Sequence, residues 1–380
     1  MSLFFIIFFT VYALINSYVF IRGWQALAFF PLLKPFFVVI FLIFSLSYIF
    51  VKIFAERIPA FIHDPLLWIG SFWFAFLLYF VLILFLIDLI RLADNFFSFL
   101  PVSLRALTDL TKLYLGIGVI ILVLSIAFAG YINRTNFKIK TLDLTLPKKN
   151  SILTELNVVM FSDLHLSPIN DDNFLNMIVQ KVNDLNPDII LLPGDIVDDK
   201  AEILKRNGIG KSFRKLNPKY GIIACTGNHE FINSVEPSVK FMEEFGIKVL
   251  RDSVLNIKDS FYIISREDGS GNSFTGKRRK NLDSIISSTS RNLPLILLDH
   301  TPVRLNEAVN NKIDLQLSGH THNGQMFPLN FITKMIYEVS CGYLKKGDTQ
   351  FYISSGVGTW GPPVKLASDT EIINLKIKFI

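Results

Sequence analysis

Four apolar stretches in the first 132 residues constrain this chain more than any other feature. They cover 3–21, 36–54, 66–90 and 113–132, and each approaches or exceeds the roughly 20 residues a helix needs to cross the hydrocarbon of a bilayer. No water is present there to satisfy backbone N–H and C=O groups, so a helix, which pairs its own, is the form these runs take. Composition divides at the same place. Residues 1–132 hold 23 of the 36 phenylalanines but only seven Lys/Arg and five Asp/Glu, which leaves an ordinary soluble mixture for the rest. A length of 380 residues allows two or three domains. The chain therefore reads as a transmembrane region of about four helices over 1–132, a basic linker leading into a first strand over 133–150, and a globular domain over 151–380.

The first stretch lacks a basic leader and a small-x-small cleavage site and is followed by three more spans, which argues against a removable signal peptide. Asp88 and Arg91 stand at the end of the third span, where snorkelling accommodates them. With no run of ionisable groups inside the spans, a transporter or proton channel is disfavoured. After Pro101, Leu104, Leu107, Leu110 and Leu113 recur every third residue, as in an interfacial helix or a short core-facing one. His63 reads as interfacial or packed. Loops 22–34 and 91–112 carry five Lys/Arg, against seven on the opposite side. That count predicts a cytoplasmic globular domain under the positive-inside rule. A net charge of +6, spread out, does not argue for nucleic acid. Cys225 and Cys341 lack a Cys-x-x-Cys spacing and are expected as two buried free thiols.

Beyond the linker, short apolar runs alternate with helical stretches. Residues 157–161, 188–192, 221–225, 295–298 and 313–317 read as buried strands. Segments near 172–185, 232–245 and 302–310 suit helices, giving an α/β layout. The runs 351–354 and 371–379 read as successive strands of a second sheet. Each of the first five strands ends in polar residues: Asp163 and His165; Gly194 and Asp195; Asn228, His229 and Glu230; Asp299 and His300; then Gly319, His320 and His322. Gly-Asp and Gly-Asn pairs also make ordinary turns, and one such motif alone would carry little. Five of them, supplying carboxylates, imidazoles and an amide oxygen, are an inventory for metal ions able to assist an in-line displacement.

In this order the motifs Asp163-x-His165, Gly194-Asp195, Gly227-Asn228-His229-Glu230, His300 and Gly319-His320-x-His322 resemble the calcineurin-like metallophosphoesterase superfamily. The likeness covers roughly residues 150–380. It implies a four-layer αββα sandwich of two mixed sheets and a dinuclear metal site at the strand ends. Carried over position by position, it implies Asp163, His165 and His322 on one metal and Asn228, His300 and His320 on the other, with Asp195 bridging. His229 is then the catalytic group facing the substrate, oriented by Asp198. Two divalent ions are implied, Mn²⁺ first and Fe or Zn²⁺ as alternatives, since a mixed O/N shell suits several.

Phosphoprotein phosphatases of this superfamily carry arginine where Asp199 stands, so dephosphorylation of proteins is disfavoured. The stretches Gly324-Gln325-Met326 and Gly356-Val357-Gly358-Thr359-Trp360-Gly361-Pro362-Pro363 resemble a membrane-attached bacterial branch that includes UDP-2,3-diacylglucosamine pyrophosphatases. Asn323 and Asp299 depart from its usual pattern without removing a ligand. The basic groups Lys277, Arg278, Arg279 and Lys280, and Lys205, Arg206, Lys211, Arg214 and Lys215, read first as solvated loops and second as sites for anionic headgroups or a pyrophosphate. The expected function is a phosphoesterase of a bacterial inner membrane, hydrolysing a phosphodiester or pyrophosphate. Its expected partners are the bilayer and a phosphorylated amphiphile such as UDP-2,3-diacylglucosamine. A broad-specificity phosphodiesterase and a non-catalytic membrane scaffold are the alternatives.

Overall fold

The computed structural model describes residues 3–287 and 289–380. It divides into two compact units, one of residues 1–131 with 361–364, the other of 132–360 with 365–380.

Four helices, α1 (Leu3–Ala26), α2 (Lys34–Phe54), α3 (Ala60–Phe97) and α4 (Asp109–Asn133, its last two residues in the second unit), are long and apolar enough to cross a membrane. The 38 residues of α3 make a rod of about 57 Å at 1.5 Å per residue, well beyond the expected span at both ends. Several polar groups within the first unit are paired rather than only directed to the surface. Tyr18 donates to Asp88 at 2.6 Å, and Arg22 reaches the same carboxylate at 2.5 Å. Trp73 donates to Asn16, and His63 is buried with Nδ1 2.7 Å from Asp64. The leucine repeat after Pro101 forms no continuous helix: Leu104 lies in a four-residue turn, Val102–Arg105, Leu110 and Leu113 fall at the start of α4, and Leu104 and Leu110 are exposed. Three-residue spacing drifts around a helix of 3.6 residues per turn, so it builds no lasting face.

The second unit contains two six-stranded sheets. The first runs in the order β1 (Phe137–Leu146), β12 (Thr370–Phe379), β2 (Glu155–Met160), β3 (Ile189–Pro193), β4 (Ile222–Cys225), β5 (Ile247–Val249). The second runs β10 (Gly342–Lys346), β11 (Thr349–Ile353), β9 (Leu315–Ser318), β8 (Leu295–Leu298), β7 (Phe261–Ser265), β6 (Ser253–Ile257). Both mix parallel and antiparallel pairs. Alternation along β2 shows how they stack: Leu156, Val158 and Met160 join Ile263, Ile296 and Leu315 in the core between sheets, whereas Val159 meets the helix layer outside. That is the two-residue side-chain period of a strand buried on both faces. One expectation is corrected. β11 extends the second sheet, but β12 returns to the first, between β1 and β2, with its apolar residues completing the inter-sheet core.

Helix α5 (Asp172–Asp184) lays Phe174, Leu175, Ile178, Val179 and Val182 on the first sheet, and Asp171 caps it by accepting from the Phe174 amide at 3.0 Å. Helices α6 (Asn228–Ile232) and α7 (Val235–Glu243) follow β4, and α8 (Leu329–Ile336) follows β9. Cys225 and Cys341 are free, the first buried and the second partly so.

Candidate metal centre

The loops leaving β2, β3, β4, β8 and β9 meet at one place. Parallel strands that end together put their following turns side by side, so residues distant in sequence converge there. Backbone bonds tie the turns to one another. The Asp163 amide donates to Gly194 O and the His165 amide to Asp195 O, each at 3.1 Å, while the Gly319 amide donates to His300 O at 3.0 Å. Across the two sheets the His320 amide donates to Asp163 Oδ1 at 2.8 Å.

Asp163, His165, Asp195, His320 and His322 all have left-handed backbone, with φ between 46° and 74°. For residues bearing a Cβ this costs on the order of 1–3 kcal/mol each, and such strain collects where surrounding structure dictates side-chain aim. Glycines make the approach feasible. A Cβ on Gly227 would collide with the Asp195 carboxylate, and one on Gly319 with that of Asp163.

Two sets of donor atoms result, sharing one oxygen. In the first, His165 Nε2 lies 3.0 Å from His322 Nε2, His322 Nε2 lies 3.5 Å from Asp163 Oδ1, and His165 Nε2 lies 3.7 Å from Asp195 Oδ2. In the second, His320 Nδ1 is 2.9 Å from Asn228 Oδ1 and 3.3 Å from His300 Nε2, which is 3.2 Å from the same Asp195 Oδ2. Donors held 2.0–2.2 Å from a common cation stand about 3.0–3.5 Å apart, close to most of these separations, so the cluster suits metal binding. His300 Nδ1 also lies 2.8 Å from Pro193 O. A proton donated there leaves Nε2 bare, the arrangement that orients a ligating imidazole. Asp163, His165, Asp195 and His300 are essentially inaccessible to solvent, while Asn228 and His320 sit at the open side.

Electrostatics favour cations as well. Burial alone would raise the Asp195 carboxyl, but His300 and His229 beside it hold it well below the ordinary carboxylate range. Burial pushes His322 well below the usual imidazole range, with His165 adding to the effect, so it is a neutral donor. His229 differs. Its burial favours the neutral ring, yet Asp198 and Asp195 overcome this and raise it to about 9. Its Nδ1 is ion-paired with Asp198 Oδ1, and its ring stands edge-on to Trp360 with centroids 6.1 Å apart. Tyr337 meets His320 similarly.

Some residues that build the centre carried no expectation from sequence. Glu230, fully buried, accepts from the backbone amides of Asp195, Ile196, Val197 and Gly227 at 2.7–3.1 Å, clamping the β3 and β4 turns together. Its place right after Asn228 and His229 is the one signal that could have shown it. Lys365, also fully buried, donates to the carbonyls of Ser355, Gly356 and Gly358, and the amide of Gly358 donates to Asp163 O. Asp299 is buried between Arg279 (2.8 Å) and Arg266 (3.4 Å). The 277–280 group is thus divided, with Arg279 turned inward and Lys277, Arg278 and Lys280 exposed. In the other basic group Lys205 pairs with Glu244 at 2.6 Å. Asp199 is buried.

Comparison with known proteins agrees with this geometry. The family profile described as Calcineurin-like phosphoesterase matches residues 156–324. An uncharacterized metallophosphoesterase of Helicobacter pylori strain J99 is 30% identical over 286 residues, 74% of each chain. One from Campylobacter jejuni is 28% identical across 87% of this chain and 89% of its own. A zebrafish (Danio rerio) transmembrane protein with a metallophosphoesterase domain is 29% identical over 63% of this chain, which covers 57% of that protein. With four apolar helices preceding its two-sheet domain, the chain is a membrane protein of the calcineurin-like metallophosphoesterase family, a metal-dependent phosphoesterase.

Proposed function

We propose that this phosphoesterase works with two divalent cations and hydrolyses a phosphodiester or pyrophosphate bond of a lipid-linked substrate. The observation that carries the reading is the pair of donor sets meeting on Asp195 Oδ2. Asp163, His165 and His322 would hold one cation, Asn228, His300 and His320 the other, and Asp195 both, with Mn²⁺ the first candidate. Divalent cations bound there supply Lewis acidity to the phosphoryl oxygens and lower the pKa of water.

The chain's own groups do the rest. Asp198 holds Nδ1 of His229, leaving Nε2–H of an imidazolium to protonate the departing oxygen as the P–O bond breaks. The Asp198 carboxylate against Nδ1 favours the protonated ring. Trp360, more than half exposed, and Tyr337 border the donors with apolar surface that suits a substrate with an aromatic base or acyl chains. Membrane anchorage raises encounter with amphiphiles, and a nucleotide-diphospho-lipid such as UDP-2,3-diacylglucosamine is the specific candidate.

The test is mass-spectrometric product analysis with full-length protein in detergent, Mn²⁺ and UDP-2,3-diacylglucosamine, with Asn228→Ala as blank. UMP together with diacylglucosamine phosphate is the expected result. Cleavage of bis(4-nitrophenyl) phosphate without those products would replace the lipid substrate by a broad diesterase activity. Stoichiometric metal without hydrolysis of either would make the protein a scaffold.

A further inference from the structure

Helix α8 breaks the rule that a short helix buries its apolar stripe. Phe331, Ile332, Met335 and Ile336 recur at helical spacing, yet all are exposed, Met335 at 87% and Ile336 at 67%, and Phe327 just before the helix is exposed too. A cluster this apolar and this open on a catalytic unit marks a surface with a partner.

The chain itself indicates which partner. It leaves the membrane-crossing helix α4 at Asn133 and enters β1 at Phe137; the three residues between reach at most about 10 Å. The Asn133 side chain donates to Lys365 O at 2.9 Å. The next two residues, Leu366 and Ala367, donate their amides to Gln325 O at 2.8 and 2.9 Å. Gln325 lies four residues before α8, and its side chain clamps Trp360 through Nε2 to Trp360 O at 3.0 Å and Trp360 N to Oε1 at 2.9 Å. Within the second unit, segment 365–367 therefore links Asn133, where the chain leaves its last apolar helix, to the start of α8 and, through Gln325, to the tryptophan beside His229. Lys334 projects from α8 as an exposed cation, suited to anionic headgroups.

We propose that α8 is an interfacial helix, lying in the headgroup–acyl boundary of the bilayer with Phe331, Ile332, Met335 and Ile336 in the lipid, so that the metal centre opens at headgroup level. An amphipathic helix with an apolar face and a flanking cation sits in that plane. The inference deepens the lipid-substrate reading of the preceding section, because a phosphoester at that depth is presented to the site without leaving the membrane.

Depth-dependent quenching tests it on the full chain in nanodiscs of phosphatidylcholine and phosphatidylglycerol. In a Cys341→Ser background, with Cys225 buried, bimane is attached at Met335→Cys or, for comparison, at exposed Glu243→Cys on α7. The expected result is blue-shifted emission at 335, lost with lipid carrying a doxyl group high on the acyl chain and insensitive to aqueous iodide. Iodide quenching at 335 equal to that at 243 would overturn the proposal, leaving a water-exposed face. Protection from iodide without lipid quenching would overturn it in favour of a second copy of the chain. Hydrolysis of UDP-2,3-diacylglucosamine by the same samples with Mn²⁺ separates the two readings. Lipid contact without that hydrolysis sinks the lipid-substrate reading alone, and that hydrolysis without lipid contact sinks this one alone.

Discussion

A single imidazole carries the acid–base part of the proposed chemistry. Asp198 and Asp195 raise His229 to about 9, so its proton is present below that value and lost as pH climbs through it. The rate of hydrolysis should fall on the alkaline side, at a pH below 9, because cations held by Asp195 withdraw part of the negative charge that raises His229. In Asp198→Asn, with the main counter-charge removed, that limb should move toward neutrality. His229→Gln should abolish the limb and lower kcat by about 10²–10⁴-fold. Its loss should be smaller for 4-nitrophenyl esters, whose leaving group needs little protonation, than for alkyl diesters. Metal content by emission spectroscopy should be unchanged in that variant, since His229 lies outside the two donor sets. Asn228→Ala, by contrast, removes a donor. It should lose at least about 10-fold in metal affinity, the lower end of what even indirect disturbance of a metal site costs, while circular dichroism stays that of the folded protein.

At the scale of elements, turns decide how accurately those side chains are held. Glu230→Ala would leave buried amides of the β3 and β4 turns without an acceptor, at about 1–3 kcal/mol for a buried group so stranded. A lowered urea midpoint with loss of metal binding is the expected outcome, and Glu230→Gln, which keeps one carbonyl oxygen, should recover part of both. Lys365 gives a pH signature. Burial lowers its ammonium from the ordinary 10.5 to about 8, although Glu371 opposes this. Between those values the unfolded chain binds a proton the folded chain does not, so this group's contribution to stability rises with pH from about 8 to about 10.5. Urea denaturation at pH 7.5 and 10 should show the wild type gaining relative to Lys365→Met, by up to about 3 kcal/mol. Lys365 also marks what sequence could not reveal, and Glu230 what it signalled only by a place right after Asn228 and His229. That Asp163, His165, Asp195, Asn228, His300, His320 and His322 gather in one place was legible because each follows an apolar run in a short polar motif, in an order that resembles the family's. Five strands and the helix after Asp171 were legible from apolar runs and periodicity. Glu230 and Lys365 act through backbone groups of other turns, partners that no side-chain pattern encodes. The return of β12 to the first sheet was hidden for a similar reason. Its alternation states that it is a strand, not which edge it joins.

The whole molecule combines an apolar helical unit with a catalytic unit whose centre gathers buried carboxylates and imidazoles. Cations stabilise only the unit that binds them, and only in its folded form. At about a hundred times its dissociation constant a cation adds about 2.7 kcal/mol to that unit. Ligand-linked, multi-unit proteins depart from a single two-state transition. Calorimetry of the full chain in detergent should therefore show two transitions. One should shift upward with Mn²⁺ and downward with chelator, while the other, belonging to the helices of residues 1–131, stays fixed. Asp195→Asn weakens both donor sets at once, so it should abolish the Mn²⁺ shift. Asn228→Ala touches one set and should keep part of it. If Asp195→Asn and Asn228→Ala kept equal shifts, Asp195 would not be shared between two ions, and the dinuclear assignment would fall while the phosphoesterase family remained.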